Sequence, residues 1–482
     1  MKKLTHIFPL LVLVVSCTKD HGNYEYKEIN AVQITAEESD FMLNMLDTLV
    51  INPILEGSME EIGDDSGYEF LWTIYTTTSY HADTISRERN LVYLINKVPG
   101  NYRISFRVKP LATGVSYRYQ FNLTVMTELQ RGFLALSEVD GKANVTFVNV
   151  MGNVYEDIFY NINGQHAGTN PVAIRWTMEA PNDYIAIICD DERGGVYASG
   201  LSFTHMFDYA DWFYEGLDVI KPQAYHVYSN QSFIVNNNKL HYRDRNYNLI
   251  IDGQSVRVES KFYAAYPGNY EASPVYVRNN IHYCSKNQRF LYIPAPTQPN
   301  IFSTAADPDN PIFDPANVGL DLVYAKMTRA PRGILDMDAI FENEDGTRYY
   351  LKYNINNPSA IVPIKKEVLP SAYHINHATS FAGNHDEDFF YYGSGNKVYV
   401  YDPLINEERT VYEFDPQYQV DNVMWHVYEP ADRQLFVCIS QPGMGGKNGS
   451  IYHMNVASNG NLSIRHAYMN VCGRVISTSY KN

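Results

Sequence analysis

The chain has 482 residues, 45% of them hydrophobic and 19% charged, and a formal net charge of −16. That length exceeds one ordinary domain and predicts two, each able to bury a full core. The acidic balance argues against a nucleic-acid partner, which would be held by Lys and Arg set against phosphates.

At the N-terminus Lys2 and Lys3 precede an apolar stretch from Ile7 to Val15, then Ser16 and Cys17. This is the layout of a signal peptide, and the stretch is too short to span a bilayer, which takes about 20 apolar residues. Val14, Val15, Ser16 and Cys17 resemble the bacterial lipobox, whose cysteine is lipidated and becomes the mature N-terminus. Residues 1–16 are thus expected to be a lipoprotein signal peptide and 17–27 a lipidated tether. Each buried acyl methylene contributes about 0.8 kcal/mol, so two or more chains hold where one would not. Thr18 after the cysteine resembles the outer-membrane rather than the inner-membrane pattern. Lys19 and Asp20 resemble the signal that takes Bacteroidota lipoproteins to the extracellular face.

Residues 28–127 read as a β-sandwich. The bias of 40 Tyr against 4 Trp favours β structure, and "EFLWTIY" puts Trp72 on an apolar face of period two, as in a central strand of an immunoglobulin-like fold. In "PGNYRISFRV", Pro99 and Gly100 make a turn, after which Tyr102, Ile104, Phe106 and Val108 fall on one face. This turn and alternation resemble a polycystic-kidney-disease (PKD) domain, and Trp72 is expected in the core.

From residue 128 the texture changes. "IAIICDDERGGVYASG", "FIVNNNKLHYRD", "VYVRNNIHYCSK", "AIFENEDGTRYYLKY" and "FFYYGSGNKVYVYD" each run from an apolar strand through a Gly, Asn or Asp turn into a short aromatic strand, the signature of a hairpin. The aromatics Tyr197, Tyr242, Tyr283, Tyr350, Tyr399 and Tyr452 recur at roughly 40 to 50 residues, the period of propeller blades. The long gap from Tyr283 to Tyr350 holds the Pro-, Asn- and Asp-rich residues 296–319, read as a loop insertion. With a further hairpin around Val145 and Phe147 the count is about seven blades over 128–482. A propeller must close its ring or leave sheet edges unpaired, and Val475 to Tyr480 is predicted to pair with "GFLALSE" in the first blade.

Chemical signatures are sparse. Cys189, Cys284, Cys438 and Cys472 sit singly in different parts of the chain with no CxxC spacing, so free buried thiols are expected and a zinc site of that kind is not. "QPGMGGKNGS" fails the phosphate-loop pattern and reads as a hairpin loop; neither HExxH nor GxSxG occurs. Asp190, Asp191 and Glu192 have the oxygen ligands that calcium takes but suit a polar turn better. His374 and His377, with His385, Asp386, Glu387 and Asp388, carry ligand types suited to zinc, and a solvated loop is the preferred reading. No metal, cofactor or catalytic residue is assigned. The densest aromatic cluster, Tyr209, Trp212, Phe213 and Tyr214, is either packing between blades or, if exposed, a ligand platform.

The lipobox, "HGNYEYKEIN" behind it, the sandwich and "RGFLALSEVDGKANVTFV" at the junction together resemble the PKD-like family lipoproteins of Bacteroidota. The resemblance covers Met1 to about Asn149. It implies an outer-membrane lipoprotein facing the extracellular side, moored by lipid on Cys17. It also implies a non-catalytic accessory role beside a TonB-dependent transporter and its lid lipoprotein in taking up oligopeptide or glycan. The alternatives are a propeller enzyme, either a glycoside hydrolase or lyase or a peptidase, and a structural adhesin. The fold expected is all-β, an immunoglobulin/PKD-like sandwich followed by a roughly seven-bladed propeller.

Overall fold

The computed structural model describes residues 28–76, 81–179, 182–228, 231–244, 248–251, 254–257, 261–263, 265–266, 270–278, 280–293, 302–303, 309, 312–329, 335–426 and 433–482. Cys17, the expected signal peptide over 1–16 and the expected tether over 17–27 lie outside them. No helix among the described residues is long and apolar enough to cross a membrane. The protein is all-β and divides into two compact units, the first built from strands before residue 125, with segments 44–46 and 95–99 grouped with the second.

In the first unit a five-stranded sheet runs in the order Asp40–Asn44, Tyr117–Met126, Gly100–Pro110, Tyr68–Thr76, Asp83–Ser86. Two further antiparallel pairs complete it, Val32–Thr35 with Ile54–Gly57 and Thr48–Ile51 with Leu91–Leu94. Period-two burial follows the sequence: Tyr102, Ile104, Phe106 and Val108 are buried, and Arg103, Ser105 and Arg107 between them are less so. Trp72 is in the core as expected, stacked on Phe106 at 4.2 Å, and its indole N–H donates to the Glu88 carbonyl at 2.9 Å. A buried indole without that acceptor would leave a costly unpaired donor.

Among its described residues the second unit carries seven successive sheets of three or four strands, and a two-stranded pair, Asn248–Ile251 with Gln254–Arg257, between the third and the fourth. The first blade is ordered Val154–Tyr155, Lys142–Asn149, Gly132–Val139, Arg474–Lys481, so the C-terminal strand takes the innermost place. This is the predicted closure: Phe133 lies opposite Tyr480 and Ala135 opposite Thr478, with a bulge at Leu136/Ser137. Gly473 turns the chain into that strand; a β-carbon there would collide with the Glu138 carbonyl, so only glycine fits. At the far end the buried Lys481 ammonium donates to the Leu129 and Gln130 carbonyls, the latter at 2.7 Å.

The other blades follow the chain from inside outward. The second starts at Pro171–Glu179, the third at Pro222–Tyr228, the fifth at Asp321–Arg329, the sixth at Phe381–Ala382 and the seventh at Gln419–Trp425. In the fourth, residues 272–278 take the inner place through bridges Ala272↔Cys284 and Arg278↔Ile281, beside Ile281–Cys284, Arg289–Tyr292 and Phe302–Ser303. The turns have the chemistry the sequence announced. Asn237 and Asn238 between Gln231–Asn236 and Lys239–Asp244 both have positive φ, +48° and +59°, as a two-residue hairpin turn requires.

Cores lie between neighbouring blades rather than in one centre. Phe133, Ala135 and Val148 of the first blade pack on Phe436, Cys438 and Ile451 of the seventh. Ile340 and Tyr350 of the fifth pack on Phe390, Tyr392 and Tyr401 of the sixth. The second strand of each blade is therefore buried on both faces, which explains runs such as "LFVCIS" that do not alternate. All four described cysteines are free and buried, as expected.

Two readings need correcting. Tyr197, Tyr242, Tyr350, Tyr399 and Tyr452 lie on the third strand of their blades, but Tyr283 lies on the second strand of the fourth, so part of the long gap after it is an offset of one strand. Residues 296–319 are not simply an inserted loop either. Phe302–Ser303 supplies the blade's outer strand, and Phe313 and Val318 are buried against the fifth blade.

Candidate functional site

The inner strands face the propeller axis, and a cavity of about 1000 Å³ opens there between the second, third, fourth and fifth blades. Such a volume is in the range of small-molecule sites. Its polar wall is built from Arg175 and Trp176 on Pro171–Glu179, His226 on Pro222–Tyr228, and Tyr276 and Arg278 on the fourth blade's inner segment. A second cavity of about 320 Å³ shares Arg175 and Tyr324 with it and continues along the sixth, seventh and first blades.

Arg175 is the one cation of the inner strand Pro171–Glu179, and its guanidinium donates to the Thr478 carbonyl at 3.2 Å. Its head is open to the cavity although protein surrounds it, and that setting lowers its pKa from the ordinary value. His226 stacks on Tyr276 with centroids 5.2 Å apart and bonds to the Pro274 carbonyl. Burial first, and the nearby Arg175 charge second, push its pKa down to about 3, so the imidazole is neutral. Its Nε2 is buried with no hydrogen-bond partner, as is Nε of Arg278. Buried polar atoms are nearly always paired, so such orphans mark places where a ligand or solvent bonds. None of the described residues lining this larger cavity is an Asp or a Glu.

The residues singled out from sequence lie elsewhere. Tyr209, Trp212 and Phe213 are buried, Trp212 only 5% exposed, in the core joining the second and third blades. Trp212 packs on Tyr197 and Tyr225 and Phe213 on Phe262, the inter-blade packing considered from sequence, while Phe213 also lines a separate cavity of about 360 Å³. Only Tyr214 is exposed, at 49%, beside Tyr263. Asp191 accepts the backbone N–H groups of Thr169, Arg193 and Gly194, the role of a turn aspartate. His374 bonds Glu408 at 2.9 Å and stacks on Tyr399. Glu387 pairs with Arg433, and Asp388 with Lys352. Among the described residues no three His, Cys, Asp or Glu side chains are grouped to hold a metal. "QPGMGGKNGS" is the hairpin loop after Gln434–Ser440, where Lys447 pairs with Glu156 and Asp157. Sequence reading missed Arg175 and Arg278; the available signal was a charged residue inside the apolar runs "PVAIRWTM" and "SPVYVRNN".

No curated protein matches the chain. It is similar in structure to a quinonprotein alcohol dehydrogenase-like protein from Bacteroides thetaiotaomicron, with TM-score 0.53 and 12% identity over 93% of this chain and 97% of that one. The Dos1 propeller is matched with TM-score 0.36 and 12% identity, covering 75% of this chain and 89% of that one. The six-bladed fucose-recognising lectin of Aleuria aurantia is matched with TM-score 0.32 and 10% identity, covering 77% and 92%. The first of these likenesses shows the fold alone. Residues 17–171 match the PKD-like family, so the chain carries a PKD-like family domain whose match runs on through the first blade's three N-terminal strands.

Proposed function

We propose that this protein is a non-catalytic binding component of a nutrient-uptake complex, moored to the outer membrane through lipid on Cys17 and displayed on the cell surface. The axial cavity carries the reading. Its wall offers cationic and neutral donors and aromatic faces, which suit capture of a small polar ligand. A glycosidase would need two carboxyl groups flanking the scissile bond, and none of the described residues in the larger cavity's wall is an acid. The apolar leader ending at Cys17 supports the lipid mooring, and two or more acyl chains would suffice to hold a protein without a spanning helix.

The test is membrane fractionation of the wild type and of Cys17→Ser, followed by affinity purification from solubilised outer membrane. The expected result is loss of envelope association in the variant and a transporter barrel in the wild-type eluate. Envelope association that survives the substitution, with unprocessed leader excluded, would remove the mooring. Turnover of a captured glycan or peptide by the purified protein would replace the binding role with an enzymatic one.

A further inference from the structure

The cavity has a charge bias of its own. The chain as a whole carries −16, yet the described residues lining the larger cavity include Arg175, Arg278 and two or more aromatic rings and no carboxylate. Among the described residues neither arginine makes a salt bridge; Arg175 has one bond to a carbonyl, and Arg278 keeps a buried Nε without a partner. Guanidinium groups set in a protein wall are ordinarily paired with carboxylates, whose planar shape they match with two parallel hydrogen bonds. Two left without an acid, on inner strands of different blades, leave that shape to be supplied from outside.

The ligand's remaining surface can be read from the same wall. The free edge of Pro171–Glu179 is closed to an added peptide strand, because the Ile174 and Trp176 N–H groups already donate to the Ser477 and Ser479 hydroxyls at 3.2 and 3.1 Å. Recognition of an extended peptide by strand addition needs those backbone groups. What the cavity does offer is the half-buried Trp176 side chain, on which no other described ring packs, and the unpaired Nε2 of His226. A pyranose ring presents an apolar face for an indole and hydroxyls for an imidazole.

We propose that the axial cavity binds a carboxylate-bearing oligosaccharide, its carboxylate held by Arg175 and Arg278, one sugar face resting on Trp176 and a hydroxyl meeting His226. This rests on the reading of the protein as a binding component and names the ligand class for it.

Calorimetric titration of the mature protein with trigalacturonate, maltotriose and a glutamate tripeptide tests the assignment. Trigalacturonate is expected to bind saturably and at least about ten-fold more tightly than the other two, and more weakly as salt rises. Arg175→Met and Arg278→Met are each expected to weaken it about ten-fold or more, the loss typical of a charged hydrogen bond, with thermal melting unchanged. If Arg175→Met lowers the melting temperature by losing the Thr478 bond, Arg278→Gln carries the comparison, since its Nε has no protein partner to lose. Equal binding of maltotriose, or trigalacturonate binding undiminished in the folded variants, would overturn carboxylate recognition while leaving a glycan-binding protein. Preference for the tripeptide would overturn the sugar assignment. Failure to bind any of the three would also overturn it, and the co-purifying barrel would still decide the accessory role independently.

Discussion

The two units bury aromatic side chains on different plans. In the sandwich, strands alternate, one face in and one out, and Trp72, Phe106 and Phe121 form a core whose one described indole donor is satisfied locally. In the propeller the second strands are buried on both faces, and each core is shared by two blades. Buried polar groups must then find partners inside the blades, as Asp338 does: Tyr350 donates to it at 2.6 Å, Thr328 also donates, and Lys326 and Lys352 approach to 3.7 Å. A sandwich core can fail alone. A ring of shared cores passes a defect to its neighbours.

The largest expected effect follows from that difference. Ending the chain at Gly473 removes the Arg474–Lys481 strand and exposes both the first blade's inner edge and the core it shares with the seventh. Calorimetry should then lose the propeller transition and retain the sandwich one. Loss of neither would show that the closing strand does not hold the ring. Next, Trp72→Ala should lower the stability of the sandwich by about 4 kcal/mol, the usual cost of deleting a buried aromatic side chain, and leave the propeller transition in place. A matching fall in both transitions would mean the two units unfold as one.

A smaller loss, about 3 kcal/mol and confined to the propeller, is expected for Asp338→Asn, measured by denaturant unfolding. Removing one partner from a buried ionic cluster leaves uncompensated charge, here chiefly the ammonium group of Lys326, since Lys352 keeps Asp388 at 3.5 Å. An unchanged midpoint would reduce the cluster to a neutral hydrogen-bond network.

The last test is of pH dependence. Burial pulls the pKa of Lys326 and of Lys481 down from 10.5 to about 8. Between those values the unfolded chain holds more protons than the folded one, so propeller stability should rise as pH climbs from about 8 towards 10. Above the ordinary tyrosine value of 10.0 the sign reverses, because burial raises phenols such as Tyr350 and Tyr392 and the unfolded chain loses its protons first. A flat profile between about pH 8 and 10 would show that neither amine is neutralised by its surroundings.

Much of this architecture is written in local pattern. Alternation marked the sandwich strands around Tyr102 to Val108, paired Asn and Gly residues marked the blade hairpins, and the need to pair an open edge announced the place of the C-terminal segment beside Gly132–Val139. These features depend on neighbours in sequence or on a single edge that must be paired, so composition and period suffice to find them. The buried fate of Trp212 and the strand position of Tyr283 were less legible, since both depend on which blade packs against which.

Local pattern was enough for a pair of β units, their turns and their lone buried cysteines, and it carries the expectation of a leader ending at Cys17. The candidate site came from the packing of the blades. Arg175, His226 and Arg278 lie far apart along the chain and share no motif. They line one cavity because each stands on the innermost strand of a successive blade, and it is the closing of the ring that turns those strands towards a common axis.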